Sequence, residues 1–277
     1  MSKHTTWGVG GPAEWFVEVD TILKLKMFLR FAKVNKIQVF LMGSGSNLLV
    51  PDEGVEGAVV RLRGDFENIH FRDNEVKAGA GVFLPKLVKA CAEKGLTGCE
   101  SLVGIPGTVG GALIMNAGGK ELEIGQIVKC VVVVNPEGEM ETLPVNKINF
   151  MYRSSSLNGN IICQVFFELE HGDKDDIMKK IQNFLSLRLQ TQPMGTLNAG
   201  SVFRNPEGYY AAELIENAGF KGVQVGKAQV SPKHANFIIN RGGATAKDIL
   251  TLISDIQKKV KAKFGVKLET EFKILGR

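Results

Sequence analysis

A chain of 277 residues that is 44% hydrophobic has enough apolar material for a sizeable core and for two or three compact domains. Its 34 basic and 29 acidic residues are dispersed and sum to +5, without the basic runs or interleaved aromatics of a nucleic-acid groove. Nucleic acid is therefore not an expected partner, while the mild positive balance suits anionic small molecules such as nucleotides. No apolar run reaches bilayer length and the opening MSKHTTWG lacks an apolar signal core, so a cytoplasmic protein with no membrane partner is expected. Cys91, Cys99, Cys130 and Cys163 form no CxxC pair and have no histidines at ligand spacing, which predicts reduced, apolar-packed thiols, no disulfide and no metal.

In chain order, residues 14–19 read as a strand rich in Trp15, Phe16, Val17 and Val19. Ile22, Leu25, Phe28, Leu29 and Ala32 recur at helical spacing before a short buried strand at 37–42. Strands are expected at 55–62 and 69–78, with Arg63-Gly64-Asp65 as the turn between them. Residues 83–94 read as a helix stopped by Gly95. A valine-rich strand at 127–135 turns through Pro136-Glu137-Gly138 into a hairpin partner, and 161–169 is another strand. Helices are expected at 174–189, 211–217 and 246–264, then a final strand at 266–275. Strands predominating between a β-α-β start and a mixed end indicate α+β, and not a doubly wound sheet. Gln190 to Gly195 is the candidate domain boundary.

The stretch GIPGTVGGALIMNAGG, residues 104–119, has six glycines in sixteen residues. Glycine lets backbone amides approach a ligand closely, so this stretch reads as a binding surface or, taken alone, as a pair of tight turns between buried strands. A second loop, Gly43-Ser44-Gly45-Ser46-Asn47, follows the strand at 37–42. Two amide-rich loops can grip one long anionic ligand. Lys120 is followed by Glu121, and Gly43-x-Gly45 lacks a third glycine, so neither loop fits a P-loop or a Rossmann fingerprint.

GSGSNLLV at 43–50 and GIPGTVGGALIMNAG at 104–118 resemble the FAD-binding loops of the UDP-N-acetylenolpyruvoylglucosamine reductases, the MurB family. The resemblance extends through HTTWGVGGPAEWFVEV at 4–19, MYRSSS at 151–156, NAGSVFRNP at 198–206, VSPKHANFIIN at 230–240 and LETEF at 268–272. It implies a vanillyl-alcohol-oxidase/PCMH-type FAD-binding fold plus a C-terminal substrate-binding domain. The expected division is 1–62 and 63–190 for two FAD-binding subdomains and 191–277 for the substrate domain, whose final strand can pack back on the FAD domain. Gly43, Ser44, Gly45, Ser46, Asn47, Gly81, Gly104, Ile105, Pro106, Gly107, Thr108, Gly110, Gly111, Ala112, Asn116, Ala117 and Gly118 are thereby implied to hold FAD without a covalent bond.

From its residue type alone, Arg153 is either a surface ion-pair partner or a guanidinium fork for a carboxylate or enolate oxygen. The resemblance favours the fork and makes Arg153 catalytic, although Leu157 stands where relatives often carry an aromatic. Ser201 has no GxSxG elbow, which argues against a hydrolase nucleophile. By resemblance it is the proton donor, with Tyr152, Arg204 and Asn205 as substrate contacts and Arg204 replacing a usual lysine. Glu269 and Glu271 share a face in an expected strand and are poorly placed to straddle a sugar ring, so glycosidase chemistry is weakly supported. The resemblance makes Glu271 catalytic and leaves Glu269 an exposed charge. His4 and His234 are expected to be hydrogen-bonding residues.

The resemblance thus implies that NADPH reduces FAD, which then reduces UDP-N-acetylglucosamine enolpyruvate, in a protein expected to be monomeric. Only 47 residues separate Arg153 from Ser201 and none is tyrosine, which places the chain in the shorter class without a tyrosine loop. Two other functions stay open from the residues: an FAD oxidase of the same superfamily, and a catalytically silent nucleotide-binding module.

Overall fold

The computed structural model describes residues 1–276. Strand β1 (Ala13–Val19) leads into helix α1 (Ile22–Val34), whose first turn is capped by Thr21 accepting from the Lys24 amide. Then come β2 (Val39–Met42), β3 (Leu48–Leu49), β4 (Val55–Leu62), β5 (Ile69–Arg72) and β6 (Glu75–Gly79). Helix α2 (Leu84–Glu93) has proline in its first turn and ends at Gly95, whose φ of 70° only glycine adopts easily. Strand β7 (Leu96–Thr97) precedes α3 (Val109–Ile114), which is followed by β8 (Val128–Val134), β9 (Met140–Pro144), β10 (Phe150–Met151), β11 (Ser154–Ser155), β12 (Ile161–Glu168) and β13 (Glu170–His171). The remaining elements are α4 (Lys174–Thr191), α5 (Ala211–Asn217), β14 (Gln224–Val225), β15 (Ala228–Val230), β16 (Ile238–Asn240), α6 (Ala246–Phe264) and β17 (Lys273–Ile274).

The chain forms two compact units. One comprises residues 15–44 and 57–187. Its largest sheet runs β5-β6-β12-β8-β9 and is antiparallel throughout. Val131, Val133 and Val165 of this sheet are buried with Leu84, Leu87 and Val88 of α2 and with Val109 and Leu113 of α3. A second sheet, β1-β4-β2, packs Val19 and Val60 on Leu25 of α1.

The other unit comprises residues 1–14 and 45–56 with the chain from 188 onward. Its core sets the buried face of α6 (Ile249, Leu252, Ile253, Ile256, Val260) with Ala228 and Val230 of β15 and Ile238 of β16. Trp7 is buried here, edge-on to Phe272, and its indole N–H donates to the Ile238 carbonyl at 2.7 Å. The Asp52 carboxylate accepts from the Ala246 and Lys247 amides at 2.8 and 2.9 Å, placing negative charge at the start of α6.

Four expectations differ from the structure. Residues 69–78 form a hairpin because Asp73, at φ 54°, turns the chain, a conformation that Asp tolerates. The glycine-rich stretch contains a helix, α3. The strand expected at 266–275 is reduced to a bridge at Thr270 and to β17, because the chain leaves one partner, Phe203, and pairs in parallel with β3. The sheet β14-β15-β16 was not anticipated, its strands being only two or three residues long.

Candidate active site

In the unit holding residues 57–187, a lattice of backbone bonds fixes the glycine loop at 104–118. The Val109 amide donates to Val82 and the Gly110 amide to Ala80, at 2.8 and 2.9 Å. Gly110 and Gly111 are thus the first turn of α3, capped by Thr108, and a Cβ on Gly110 would lie 3.0 Å from that of Ala80. Gly81 serves packing as well, since a Cβ there would meet the Leu62 carbonyl at 2.7 Å. So does Gly118, whose Cβ would lie 2.1 Å from the Leu122 carbonyl.

A Cβ on Gly43 would clash with Thr108 Oγ1, so the loop at 43–47 starts in direct contact with the loop at 104–118. Gly107 is buried at φ 149°, and among the described residues neither its amide nor that of Thr108 meets a protein acceptor. Two adjacent unused donors beside a glycine contact suit the oxygens of a phosphate, and these residues therefore fit the diphosphate of a dinucleotide. Gly104 is buried and Ile105 half-buried, while Pro106 is exposed. Ala112 and Ala117 are joined within the loop by the Ala117 amide donating to the Ala112 carbonyl at 2.8 Å.

Glu100 anchors the approach to this loop. Burial opposes its charge, yet donors at the Thr97 hydroxyl and the Gly98 amide, with Lys180 at 3.7 Å, hold its pKa below the usual carboxylate value. Asn116 is buried at φ 42°. Its side chain donates to Glu123 at 2.7 Å and to the Met151 carbonyl at 3.2 Å, and accepts from the Gly125 amide at 3.1 Å. Asn116 therefore braces the hairpin β10–β11. Tyr152 and Arg153 form that hairpin's two-residue turn, with Arg153 at φ 55° and its guanidinium 4.9 Å from the Tyr152 ring centre. A left-handed arginine costs about 1 kcal/mol, and such strain gathers where a side chain must be aimed. Leu157 is fully buried in the core of this unit.

In the other unit, Gly45 is buried at φ 70° and its carbonyl accepts from the Thr6 amide at 3.1 Å. Ser46 is half-buried, as is Ser44, the last residue of the segment 15–44 of the first unit. Asn47 straddles the C-terminal segment: its side chain donates to the Glu271 carbonyl at 3.4 Å and its own carbonyl accepts from Lys273 at 3.0 Å. Ser201, half-buried, follows Gly200 at φ 77°. An antiparallel bridge pairs Phe203 with Thr270, with bonds from Glu271 to the Val202 carbonyl and from Arg204 to the Glu269 carbonyl at 2.8 and 2.9 Å. Backbone pairing thus aligns the Ser201 and Glu271 segments, and Glu269 is exposed as expected. Asn205 Oδ1 accepts from the Ala211 amide at 3.0 Å, at the start of α5.

Asn236 was missed as a supporting residue. It accepts from Phe203 at Oδ1 and donates to the Phe203 carbonyl from Nδ2, at 2.9 and 2.8 Å, acting as a strand partner. Its amide donates to His234 Nδ1 at 3.2 Å, and desolvation by burial lowers the His234 pKa. The motif VSPKHANFIIN held the signal, since an Asn within a buried run must find partners. The cysteines are free, with Cys91, Cys99 and Cys163 buried. Among the described residues no helix is long and apolar enough to cross a membrane, and no cluster of metal-ligating side chains occurs.

Comparison with known proteins agrees with this geometry. The profile described as "FAD binding domain" matches residues 13–144, and that described as "UDP-N-acetylenolpyruvoylglucosamine reductase, C-terminal domain" matches 192–275. UDP-N-acetylenolpyruvoylglucosamine reductase 2 of Symbiobacterium thermophilum is 45% identical, over 100% of this chain and 90% of its own length. The reductase of Carboxydothermus hydrogenoformans is 43% identical, over 100% of this chain and 92% of its own. Among solved structures, UDP-N-acetylenolpyruvylglucosamine reductase (MurB) from Thermus caldophilus superposes with a TM-score of 0.86 at 38% identity, covering 99% of this chain and 96% of its own.

Fold and loops together define an α+β flavoprotein oxidoreductase, with an FAD-binding part and a separate C-terminal domain. Within that class, the chain belongs to the UDP-N-acetylenolpyruvoylglucosamine reductase (MurB) family.

Proposed function

We propose that this protein reduces UDP-N-acetylglucosamine enolpyruvate to UDP-N-acetylmuramate with NADPH as electron donor, acting as a cytoplasmic monomer. FAD, when bound, supplies a hydride acceptor for NADPH and a hydride donor, through N5, for the enolpyruvyl methylene carbon. Residues 43–47 and 104–118 hold it, with Gly81 and Gly110 setting the packing that lets the backbone approach. Hydride addition makes the substrate an enolate. The Arg153 guanidinium stays charged at any working pH and can donate two hydrogen bonds to that oxyanion, and Glu271 assists at the same step. Ser201 donates the proton to the other carbon, while Tyr152, Arg204 and Asn205 bind the substrate. The division into 1–62, 63–190 and 191–277 describes the two flavin-holding parts and the substrate-holding part in this reading.

The observation that carries it is the contact of Gly43 with Thr108, which joins the two glycine loops at a pair of amides that meet no protein acceptor among the described residues. The test is a visible spectrum of the purified protein. It should be yellow, release its flavin on acid precipitation, bleach with NADPH and recover colour when the enolpyruvyl substrate is added without air. Bleaching reversed only by O₂ would make the protein an oxidase, and a colourless protein that takes up no FAD would make it a silent nucleotide-binding module.

A further inference from the structure

Helix α1 carries two apolar stripes. One packs inward through Leu25 and Ala32, with Ile22, Phe28 and Leu29 partly covered. The other consists of Leu23, Met27, Phe31 and Val34, which are 70%, 64%, 50% and 75% exposed. Their spacing of four, four and three residues aligns them on one helix face. Four large apolar side chains in a row on a soluble surface call for a partner.

The charges beside the stripe identify that partner. Lys24, Lys26, Arg30 and Lys33 all lie on α1, Lys36 follows it, and the helix contains no carboxylate. At about 100° per residue, Arg30, Lys26 and Lys33 fall along one edge of the stripe and Lys24 along the other. Lys24 pairs with Asp20 at 2.7 Å, whereas Lys26, Arg30 and Lys33 make no ion pair among the described residues. An apolar stripe flanked by cations of one sign has the composition of a helix lying in a membrane interface. A second copy of the chain fits poorly, because a two-fold contact would set these cations against themselves.

We propose that the outer face of α1 docks on an anionic lipid bilayer, its apolar stripe entering the headgroup boundary and Lys26, Arg30 and Lys33 meeting lipid phosphates. This revises the expectation of no membrane partner. That expectation rested on the length needed to span a bilayer, whereas a surface helix needs only a face. The inference is independent of the catalytic reading, since none of these residues belongs to the proposed site.

The test is co-sedimentation of the flavin-loaded protein with phosphatidylcholine vesicles, with and without phosphatidylglycerol. Wild-type protein should pellet with the anionic vesicles only, and release as salt approaches 1 M, where screening shortens to about 3 Å. Lys26→Gln/Arg30→Gln/Lys33→Gln should bind roughly 10²-fold more weakly. Leu23→Ser/Met27→Ser/Phe31→Ser should lose binding to a similar extent, while circular dichroism, flavin absorbance and turnover in free solution stay unchanged for both variants. Failure to pellet with anionic vesicles would overturn the proposal, as would serine variants that bind like wild type. A dimer in light scattering that the serine variant dissolves, with no vesicle binding, would assign the stripe to self-association instead.

Discussion

The Glu271 amide donates to the Val202 carbonyl at 2.8 Å, so the residue after Ser201 lies directly across a backbone bridge from Glu271. The two segments are far apart in sequence, yet main-chain bonds and Asn236 bracing Phe203 hold their register. Removing the Ser201 hydroxyl should therefore leave the scaffold intact. Ser201→Ala is expected to bleach with NADPH at near wild-type rate and to reoxidise with enolpyruvyl substrate roughly 10²-fold more slowly. Ser201→Cys should retain more turnover than the alanine variant. Rapid-mixing absorbance that placed the Ser201→Ala defect in the NADPH step alone would move the residue's role to cofactor binding.

Arg153 sits at φ 55° in the turn of hairpin β10–β11, where glycine is the residue that fits without strain. Arg153→Gly and Arg153→Ala should both fail in the enolpyruvyl half-reaction. They should separate in thermal unfolding, the glycine variant being more stable than the alanine by roughly 1 kcal/mol. Equal stabilities would mean that the turn relaxes out of the left-handed region once the guanidinium is gone.

The contact between the glycine loops predicts a compensating pair. Gly43→Ala puts a methyl 2.4 Å from Thr108 Oγ1 and 3.3 Å from its Cγ2, and should lower FAD occupancy. Thr108→Ala deletes both atoms, at the loss of a helix cap worth about 1 kcal/mol. In a double-mutant cycle read by flavin titration, the pair should bind FAD better than Gly43→Ala alone. Additive losses would show that the two loops do not act through this contact.

Regular periodicity made much of the fold readable in advance. Residues 55–62, 211–217 and 246–264 fold as expected, the first as a short apolar run ended near Gly64, the other two with apolar residues at helical spacing closed by Gly219 and Gly265. Helix α3 was hidden because Gly110 and Gly111 depress helix propensity, and what holds it is tertiary: the Thr108 cap and the bonds to Ala80 and Val82. The glycine loops announced themselves by composition, but sequence could not separate glycines that admit a ligand from those that admit a neighbouring strand. At Gly110 a Cβ would lie 3.0 Å from that of Ala80, so packing is one reason for the glycine there. The outer stripe of α1 was in plain view as Leu23, Met27, Phe31 and Val34, and went unread because the inner stripe already explained the helix.

His234 links pH to the same scaffold. Its pKa is lowered by desolvation, and its Nδ1 accepts the Asn236 amide, so the folded protein favours the neutral ring with the proton on Nε2. In the unfolded chain the ring takes a proton near its ordinary value of about 6.5. Between that value and the lower folded one, the unfolded state binds more protons, so stability rises with pH across this window. The His234 contribution is therefore complete above the unfolded pKa and is lost as pH falls towards and through the folded one. Protonation there would also remove the acceptor for Asn236, the residue that braces Phe203 beside Ser201. Urea unfolding measured between pH 7 and pH 5 should show stability falling on acidification. His234→Gln, which has no titrating group, should be less stable at pH 7 and should show a shallower slope. A mutant slope as steep as wild type would assign the acid sensitivity of this window to groups other than His234; Glu100 would not be one of them, because its lowered pKa puts its own loss of stability at more acid pH.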